Sequence, residues 1–405
     1  MFYLLASQLI YFKLELTKQV VRKPRKERQV RKTILTMGLL VTLGAVGAVQ
    51  AQTIKIGVIQ PLTGSVAYNG EADVNGSKLA VKERNARGGV LGQQVELAIE
   101  DGECQPSKTV NAAEKLIQKD KVPIISGAFC SSATIAAMSV AQKYKVPLLS
   151  GVSSKSDLTD RGNEWFFRTA ETDGLLAHAF ATILVEQLKL KKIAYIAVND
   201  DWGRGGMEEF SSQIEALGGE TVQKLYFDHG TTDFYTLLTR VRAAKPDGVF
   251  VAAETQDGSI LVKQMKEVGL ESLIFGVGSW ATADFVNLAG SASEGIHAAV
   301  PYAHTLQRPE NLQFVQSYQK EYGELPGKYS VAGYNALNII MDAIERAGAA
   351  DPDKIRLALP ATDYNGPNGN FKFNEKRQAY GFDAVLVQLK NGQPDIVAQA
   401  TVTAD

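Results

Sequence analysis

The chain has 405 residues, which is too long for one ordinary hydrophobic core and therefore predicts two domains. Its composition, 45% hydrophobic and 21% charged, is typical of a soluble globular protein. The formal net charge is −1, but residues 1–51 carry nine Lys and Arg against two Glu, so the rest of the chain is clearly acidic. This balance argues against a nucleic acid partner, because a phosphate-binding surface needs clustered Lys and Arg.

The N-terminal region has the pattern of an export signal. Residues 31–52, RKTILTMGLLVTLGAVGAVQAQ, begin with basic residues, continue with an apolar run and end in small residues. This order predicts a secretory signal peptide that is cleaved after Ala51. A membrane anchor is the alternative, but the apolar run from Ile34 to Val49 is short and rich in Gly, Ala and Thr, which disfavours a spanning helix.

The segment before this apolar run is unusually long for a signal peptide. Residues 1–51 are therefore interpreted as a signal peptide with an over-long N-terminal extension. We expect translation to start at Val30, with Val20 or Val21 as poorer alternatives, and the preceding residues to be absent from the protein as it is made.

From residue 53 onwards, apolar strands alternate with helical periods. Such alternation predicts βαβ units and parallel sheets whose two faces are covered by helices. The strands are too many for one sheet of normal size, so two α/β lobes are expected, with the first break near residues 168–174. The predicted strands are 53–59, 94–101, 122–128, 146–150, 166–170, 192–200, 220–227, 247–253 and 273–278, and the helices between them include 71–86, 107–120, 173–188, 204–217, 234–244 and 258–269.

The C-terminal part of the chain changes in character. Residues 306–323 and 330–348 have the pattern of two consecutive helices. Residues 363–381 are rich in Gly and Asn, which predicts a loop and a hairpin. The last apolar segment, 382–400, is predicted to form strands.

Polar loops that contain glycine follow several of the predicted strands. Ligands of open α/β sheets bind outside the carboxyl ends of strands, where helix N-termini converge. Five such loops therefore suggest a ligand cleft between the two lobes. They are GAFCSSAT (127–134) and SGVSSKS (150–156) in the first lobe, and NDDWGRGG (199–206), AAETQDG (252–258) and GVGSWAT (276–282) in the second.

The motifs of common enzymes are missing from the sequence. It contains neither the G-x-S-x-G elbow of serine hydrolases nor a P-loop, and GRGGME (203–208) lacks the last glycine of a dinucleotide-binding loop. The four histidines have no metal-ligand spacing and are predicted to be surface or loop residues: His178, His229, His297 and His304. We therefore expect no enzyme activity, no metal and no cofactor.

Several motifs occur in the same order as in a known family. FCSSAT (129–134) is followed shortly by SDLTDRG (156–162), and further matching segments are IGVIQPLTGSVAYNG (56–70), NARGGVLGQQVEL (85–97), EDGECQPSKTVNAAEKLI (100–117) and GYNALNIIMDAI (333–344). In these segments the chain resembles the periplasmic substrate-binding proteins of branched-chain amino acid ABC transporters, the leucine/isoleucine/valine-binding type. The resemblance covers about 350 residues, nearly all of the chain after the predicted signal peptide.

This resemblance implies the type I periplasmic-binding-protein fold, an α/β fold of two doubly wound lobes joined by a three-strand hinge. Lobe one is expected to comprise residues 53–170 plus 301–377, and lobe two residues 171–300 plus 378–405. The chain would then cross between the lobes near residues 170, 300 and 378.

The resemblance also implies a disulfide between Cys104 and Cys130, because the family has one at these positions. The pairing agrees with chemistry, since an exported chain with two cysteines is better paired than free. Two buried free thiols are the alternative.

The serines of the first-lobe loops are expected to bind a carboxylate. In the family, the serine that matches Ser131 holds the α-carboxylate of an amino acid, and the next loop, here Ser153 and Ser154, assists it. A helix N-terminus favours an anion at the same place. Helix capping alone is the alternative role for Ser131.

The second lobe departs from the family pattern. The acid that binds the ligand ammonium in leucine-binding members aligns with Gly278, beside Ser279. The nearest acidic candidate is Glu254, with Asp257 as a further possibility. A hydrogen bond from an ammonium to Glu254 is charge-assisted and strong in a closed cleft, while a solvated loop acid is the alternative.

Aromatic residues are expected to enclose the ligand side chain. Trp202 aligns with a tyrosine of the family site and Tyr329 with a phenylalanine, although either could belong to a lobe core instead. Tyr68 and Asn69 fall in the first ligand loop. The neighbours of the serines, Phe129, Cys130 and Val152, complete the expected ligand-binding set.

The function implied by the resemblance is solute capture. An exported, monomeric protein, periplasmic or otherwise extracytoplasmic, would bind a small ligand, an amino acid or an analogue, in the interlobe cleft. It would then deliver this ligand to the membrane permease of an ABC importer. The alternative is a sensor of the same fold for an amide, urea or aromatic carboxylate, although the sequence shows no signalling domain.

Overall fold

The computed structural model describes residues 53–404. The predicted signal peptide, its extension and the translation start therefore lie outside the described residues. Within 53–404, none of the helices is both long enough and apolar enough to cross a lipid bilayer.

The first sheet has five parallel strands in the order β2-β1-β3-β4-β5. Nearly every residue of β1, which lies between β2 and β3, is buried, as expected for a parallel sheet that is covered on both faces. The strands are β1 (Ile54–Gln60), β2 (Val95–Asp101), β3 (Ile125–Ser126), β4 (Leu148–Ser150) and β5 (Phe166–Arg168).

Two pairs of helices flank this first sheet. Helix α1 (Ala67–Ala86) packs against the later helix α10 (Lys328–Ala347), and α2 (Pro106–Gln118) packs against α3 (Ser131–Tyr144). The two pairs contribute to separate hydrophobic clusters. Helices therefore cover both faces of the sheet, as the sequence predicts.

The second sheet is mixed and has nine strands, in the order β11-β12-β13-β10-β9-β8-β6-β7, with β14 paired to β13. Its strands β6 to β10 pair in parallel, and β13 joins β10 antiparallel. The strands are β6 (Lys192–Val198), β7 (Glu220–Phe227), β8 (Gly248–Ala252), β9 (Leu273–Val277), β10 (His297–Val300), β11 (Tyr364–Gly366), β12 (Gly369–Phe373), β13 (Ala379–Lys390) and β14 (Gln393–Thr401).

The remaining helices follow the strands at nearly the predicted places. The predicted helix 173–188 is an α-helix that continues as a short π-helical segment, and the one predicted at 204–217 begins three residues earlier, where Asp200 caps it. These helices are α4 (Asp173–Thr182), α5 (Asp201–Ala216), α6 (Tyr235–Ala243), α7 (Thr255–Glu267), α8 (Ala283–Ala289), α9 (Pro309–Tyr322) and α11 (Pro352–Ala358).

Two of the three segments that connect the lobes are hydrogen-bonded to each other. Arg168, at the end of β5, donates from Nε to Gln378 Oε1 at 2.5 Å, and Gln378 donates from Nε2 to Ala170 O at 2.8 Å. The segment near residue 300 is bonded to the turn between β11 and β12, where Asn368 Nδ2 donates to Pro301 O at 3.2 Å. These contacts form the three-strand hinge of the expected two-lobed α/β fold.

The residue boundaries of the lobes remain a prediction. Strand β12 falls in the part assigned to lobe one, and it pairs with β13, which falls in the part assigned to lobe two. The hairpin of β11 and β12 therefore extends the second sheet beside the hinge.

A disulfide joins Cys104 and Cys130, whose Cα atoms are 5.3 Å apart. It connects the loop after β2 to the residue that precedes α3. The predicted pairing is thus confirmed, and it fixes the entry to the helix on which Ser131 lies. Closing a loop of this length stabilises the fold by roughly 3 kcal/mol if the chain-entropy account holds.

The histidine prediction was wrong for one of the four residues. His297 lies on β10 and is buried, because the central strands of this sheet have helices on both faces. His229 does lie in a loop, but it contacts two carboxylates beside the main cavity.

Candidate functional site

The loops at the carboxyl ends of the parallel strands of both sheets meet around one cavity. The space between its lining atoms is about 340 Å³ and is partly open to solvent. Residues from the loops after β3, β4, β6 and β8 contribute to it, as does the start of α10. Its lining residues are Phe129, Cys130, Ser131, Val152, Ser153, Ser154, Asp200, Trp202, His229, Glu254, Lys328 and Tyr329.

Most of the predicted ligand-binding residues line this cavity, but four do not. Tyr68 and Asn69 line a neighbouring cavity that also reaches Tyr329. Gly278 and Ser279 lie behind the lining, where the hydroxyl of Ser279 is hydrogen-bonded to the hydroxyl of Thr255.

Gly278 leaves no room for an acidic side chain in its place. Its φ is +104°, and a Cβ atom there would lie 2.9 Å from Ala253 O and 3.4 Å from the ring of Trp202. A carboxylate for a ligand ammonium must therefore come from another position.

Ser131 is the first residue of α3 and not its N-cap. The N-cap position belongs to Cys130, whose side chain makes no capping hydrogen bond. The hydroxyl oxygen of Ser131 accepts a long hydrogen bond, 3.4 Å, from the backbone N–H of Lys155. Its hydrogen is thus available to a ligand, next to the unpaired N–H groups of the first helical turn.

Ser153 directs its hydroxyl towards the backbone. Ser153 Oγ lies 2.8 Å from Phe129 O, 3.0 Å from Ala128 O and 2.6 Å from Thr134 Oγ1. Its side chain therefore links the loop that contains Ser153 and Ser154 to the loop after β3, and this contact holds both loops in place at the cavity.

Ser154 contacts a buried acid. Its Oγ lies 3.2 Å from both carboxylate oxygens of Asp173, the first residue of α4. Burial raises the pKa of Asp173 to about 7, although Lys328 acts to lower it. A hydroxyl has one hydrogen, so Ser154 can donate to a ligand carboxylate most readily when Asp173 is protonated or is itself bound to an ammonium.

Arg168 fixes the backbone of the loop that contains Ser153 and Ser154. Its guanidinium donates to three backbone carbonyl oxygens, those of Ser153 at 3.3 Å, Lys155 at 2.5 Å and Ser156 at 3.1 Å. The residue is fully buried, and burial lowers its pKa to about 10. A buried cation that binds three loop carbonyls fixes the shape of the loop that carries Ser154.

Glu254 is a buried acid that residues near the first sheet hold in place. Its Oε2 accepts hydrogen bonds from Asn69 Nδ2 at 2.9 Å and from the Tyr329 hydroxyl at 2.5 Å. Asn69 Oδ1 in turn accepts from the Thr255 hydroxyl at 2.9 Å. Burial raises the pKa of Glu254, and an ammonium ligand would favour its ionised form.

Lys328 was not predicted from the sequence as a residue of the site. Its Nζ lies 2.9 Å from Glu171 Oε1, and both side chains are buried. Burial acts to lower the pKa of Lys328, but Glu171 and Glu254 outweigh burial and raise it. These two partners are far apart along the chain, so no local pattern signals the pair.

His229 and Asp200 were also missed. His229 Nε2 lies 3.2 Å from Asp200 Oδ2, and its Nδ1 lies 3.5 Å from Asp257 Oδ2. Burial acts to lower the pKa of His229, but the hydrogen bonds with the two acids raise it to about 10. The ring is therefore an imidazolium at neutral pH and links the N-termini of α5 and α7.

Together these groups can bind a ligand that carries both a carboxylate and an ammonium. Hydroxyls and helix N–H groups lie on the side of the first sheet, and the acid Glu254 lies on the side of the second. Aromatic rings fill the space between, with the ring centroids of Phe129 and Tyr329 4.7 Å apart. The geometry is that of a binding site between two lobes.

Comparisons with known proteins agree with this geometry. The sequence profile of the periplasmic binding protein family matches residues 53–405. The chain belongs to this family. Among curated relatives, the leucine-, isoleucine-, valine-, threonine- and alanine-binding protein of Pseudomonas aeruginosa is 30% identical over 338 residues, which cover 84% of this chain and 90% of that protein.

Solved structures of periplasmic binding proteins have the same fold. A branched-chain amino acid transporter substrate-binding protein from Streptococcus pneumoniae, in complex with isoleucine, has a TM-score of 0.80 and 26% identity, and covers 87% of this chain and 99% of its own. A solute-binding protein of an ABC transporter from Rhodopseudomonas palustris, in complex with 3,4-dihydroxybenzoic acid, has a TM-score of 0.80 and 28% identity, with coverages of 87% and 98%.

Proposed function

We propose that this protein captures an α-amino acid in the cavity between its lobes and delivers it to the membrane permease of an ABC importer. It acts as a monomer outside the cytoplasm, after removal of a signal peptide near Ala51. One observation carries the proposal: a free hydroxyl at a helix N-terminus and a buried acid, Ser131 and Glu254, line the same cavity. These groups complement the two charges of an amino acid.

In this proposal the carboxylate binds on the side of the first sheet. Ser131 donates its hydroxyl hydrogen, and the first-turn N–H groups of α3 supply further donors. Ser154 assists, while Ser153 fixes the loop. The ammonium binds to Glu254, whose second oxygen is free to accept once Oε2 is held by Asn69 and Tyr329.

The side chain of the ligand lies among aromatic residues in this proposal. Trp202, Tyr329 and Phe129 line the cavity together with Val152 and the disulfide-bonded Cys130. Tyr68 lies at the neighbouring cavity, which also reaches Tyr329.

Closure of the two lobes accompanies capture. The hydrogen bonds from Asn69 and Tyr329 to Glu254 link the helices of one lobe to α7 of the other. Because a ligand that bridges the same groups binds the closed form more tightly, it shifts the population towards that form, which the permease recognises. It also stabilises the fold by mass action.

Replacing Ser131 tests the carboxylate site. We expect Ser131→Ala to weaken amino acid binding by about 1–3 kcal/mol, because a buried carboxylate loses one donor. Isothermal titration with L-leucine, L-valine and L-threonine measures the loss. The matched control is Ser132→Ala, since Ser132 is the next residue of α3 and does not line the cavity. Equal affinity in wild type and Ser131→Ala would remove Ser131 from the site.

A second candidate ligand is an aromatic carboxylate, which would suit a transport protein or a sensor. The aromatic lining of the cavity favours it, as does the relative in complex with 3,4-dihydroxybenzoic acid. Such a ligand uses the serine side of the site and brings no ammonium to Glu254. Benzoate, added to the same titrations, distinguishes the two classes.

A further inference from the structure

We propose that Asp200 determines specificity and that the cavity selects amino acids whose side chain ends in an N–H donor, an ammonium or an amide. This inference rests on the proposed function, because it identifies the side chain of the same amino acid ligand. It follows from how Asp200 is held and from the charges that surround the cavity.

Asp200 presents a fixed carboxylate at the cavity wall. Its Oδ1 accepts a hydrogen bond from the backbone N–H of Gly203 at 2.8 Å, as the N-cap of α5, and its Oδ2 lies 3.2 Å from His229 Nε2. The side chain is 15% exposed. Each carboxylate oxygen can accept two hydrogen bonds, so each retains one position for a ligand donor.

The imidazolium of His229 is not the counter-charge of Asp200 only, because it also faces a second acid. Its other ring nitrogen faces Asp257, a buried acid whose Oδ1 accepts from the backbone N–H of Gly230 at 3.2 Å. One positive charge is therefore shared between two carboxylates. Since both ring nitrogens face acids, His229 cannot serve as the main donor to a ligand.

The described groups around the cavity carry more acids than cations. Lys328 is paired with Glu171, and the donors to Glu254 are the neutral groups of Asn69 and Tyr329. In the bound state, the α-ammonium of the amino acid pairs with Glu254, while its α-carboxylate adds a negative charge. Asp200 is therefore left without a full counter-charge. The lining holds the acids Asp200 and Glu254 and the cations His229 and Lys328, and the excess of acids comes from Asp257 and Glu171, which contact these two cations.

A purely aliphatic ligand side chain would be unfavourable next to the carboxylate of Asp200. It would displace water from Asp200 without offering a donor, and a buried polar group that loses its partners costs free energy. An N–H donor restores the hydrogen bonds, and the faces of Trp202 and Tyr329 accept a nearby cation favourably.

The test compares ligands that differ in one terminal group. L-Ornithine and L-norvaline have the same carbon chain, and only ornithine ends in an ammonium, while L-glutamine ends in a neutral amide. Titration of residues 52–405, unfolded and refolded to remove any bound ligand, gives the three affinities. We expect ornithine or glutamine to bind at least about tenfold more tightly than norvaline. The order of ornithine and glutamine tells whether the donor is cationic or neutral.

Asp200→Asn assigns the selectivity to this residue. Asn caps a helix as well as Asp does, so α5 keeps its N-cap while the charge is lost. We expect the affinity ratio between the tighter of the two N–H ligands, ornithine or glutamine, and norvaline to fall to nearly one. Asp201→Asn is the matched control, because Asp201 is the next residue of the chain, is exposed and does not line the cavity, and it should keep the ratio.

Two results would overturn the inference. Tighter binding of norvaline than of both ornithine and glutamine to wild type contradicts it while leaving an amino acid receptor intact. An unchanged ratio in Asp200→Asn assigns the selectivity elsewhere. Failure of every amino acid to bind would instead overturn the proposed function, together with this inference. The wild-type comparison remains decisive even if a variant fails to fold.

Discussion

Glu254→Gln is expected to weaken the binding of amino acids by about 2–3 kcal/mol, while leaving benzoate binding nearly unchanged. The carboxylate is buried, and its Oε2 is held by Asn69 and Tyr329, so the substitution removes charge without opening a cavity. A hydrogen bond between an ammonium and a carboxylate contributes about twice as much as one to a neutral amide. Titration with L-leucine and with benzoate measures both effects.

The pH dependence of ligand affinity tests the same role of Glu254 in a second way. Burial raises the pKa of Glu254 in the free protein, and an ammonium ligand stabilises the ionised form. Wild-type affinity for an amino acid should therefore decrease as the pH falls through this raised pKa, and Glu254→Gln should lose that part of the dependence. Glu267→Gln, on the exposed end of the same helix, is the control. An equal loss for benzoate would refute the assigned role.

The second large effect is expected from Arg168→Met. We expect the free energy of unfolding to fall by at least about 3 kcal/mol, because three buried or partly buried carbonyl oxygens lose their donor. They belong to the loop that carries Ser154 and are bound by the same guanidinium that contacts Gln378 in the hinge. Ligand affinity should fall as well, since the serine loop loses its fixed shape. Urea denaturation and ligand titration measure the two effects.

The control for this prediction lies in the same region of the chain. Arg161 makes an exposed ion pair with Asp157 at 2.9 Å, and Arg161→Met should change stability by less than about 1 kcal/mol. If Arg168→Met unfolds no more easily than Arg161→Met, the guanidinium does not support the loop, and the account of Arg168 fails.

The sequence predicts the fold well because its signals are local. Apolar strands that alternate with helical periods identify most elements within a few residues, and the glycine-rich loops mark the carboxyl ends of the strands. Ser131 could be selected because it follows a buried strand and begins a helix, and Ser154 because the resemblance aligns it with a ligand-binding position of the family. The disulfide could be paired because the chain has two cysteines and resembles a family with a bond at these positions.

The sequence predicts the charges of the site poorly because they are long-range. Lys328 and Glu171 are 157 positions apart, and Asn69 and Glu254 are 185 apart. Nothing near Lys328 in the sequence distinguishes it from a solvated surface lysine. His229 was assigned to a surface or a loop because its spacing fits no metal site, yet its partners are the caps and first turns of two helices that converge only in the fold.

The effect of Gly278 on the ammonium site could be interpreted only in part from the sequence. Its alignment with an acidic residue of the family showed that the ammonium site had changed. The reason is steric, since a Cβ at this position would lie 2.9 Å from Ala253 O. Backbone conformation and the closeness of the Trp202 ring, neither of which the sequence states, decide that the acid must come from elsewhere.

A thermal-shift screen of residues 52–405, unfolded and refolded to remove bound ligand, tests the central claim most directly. The panel contains the common amino acids, L-ornithine, urea, short amides and aromatic carboxylates. The account predicts that an amino acid raises Tm, because a ligand that binds only the folded protein stabilises it by mass action. Stabilisation only by compounds without an ammonium would contradict it and would leave this protein as a binding protein for another class of ligand.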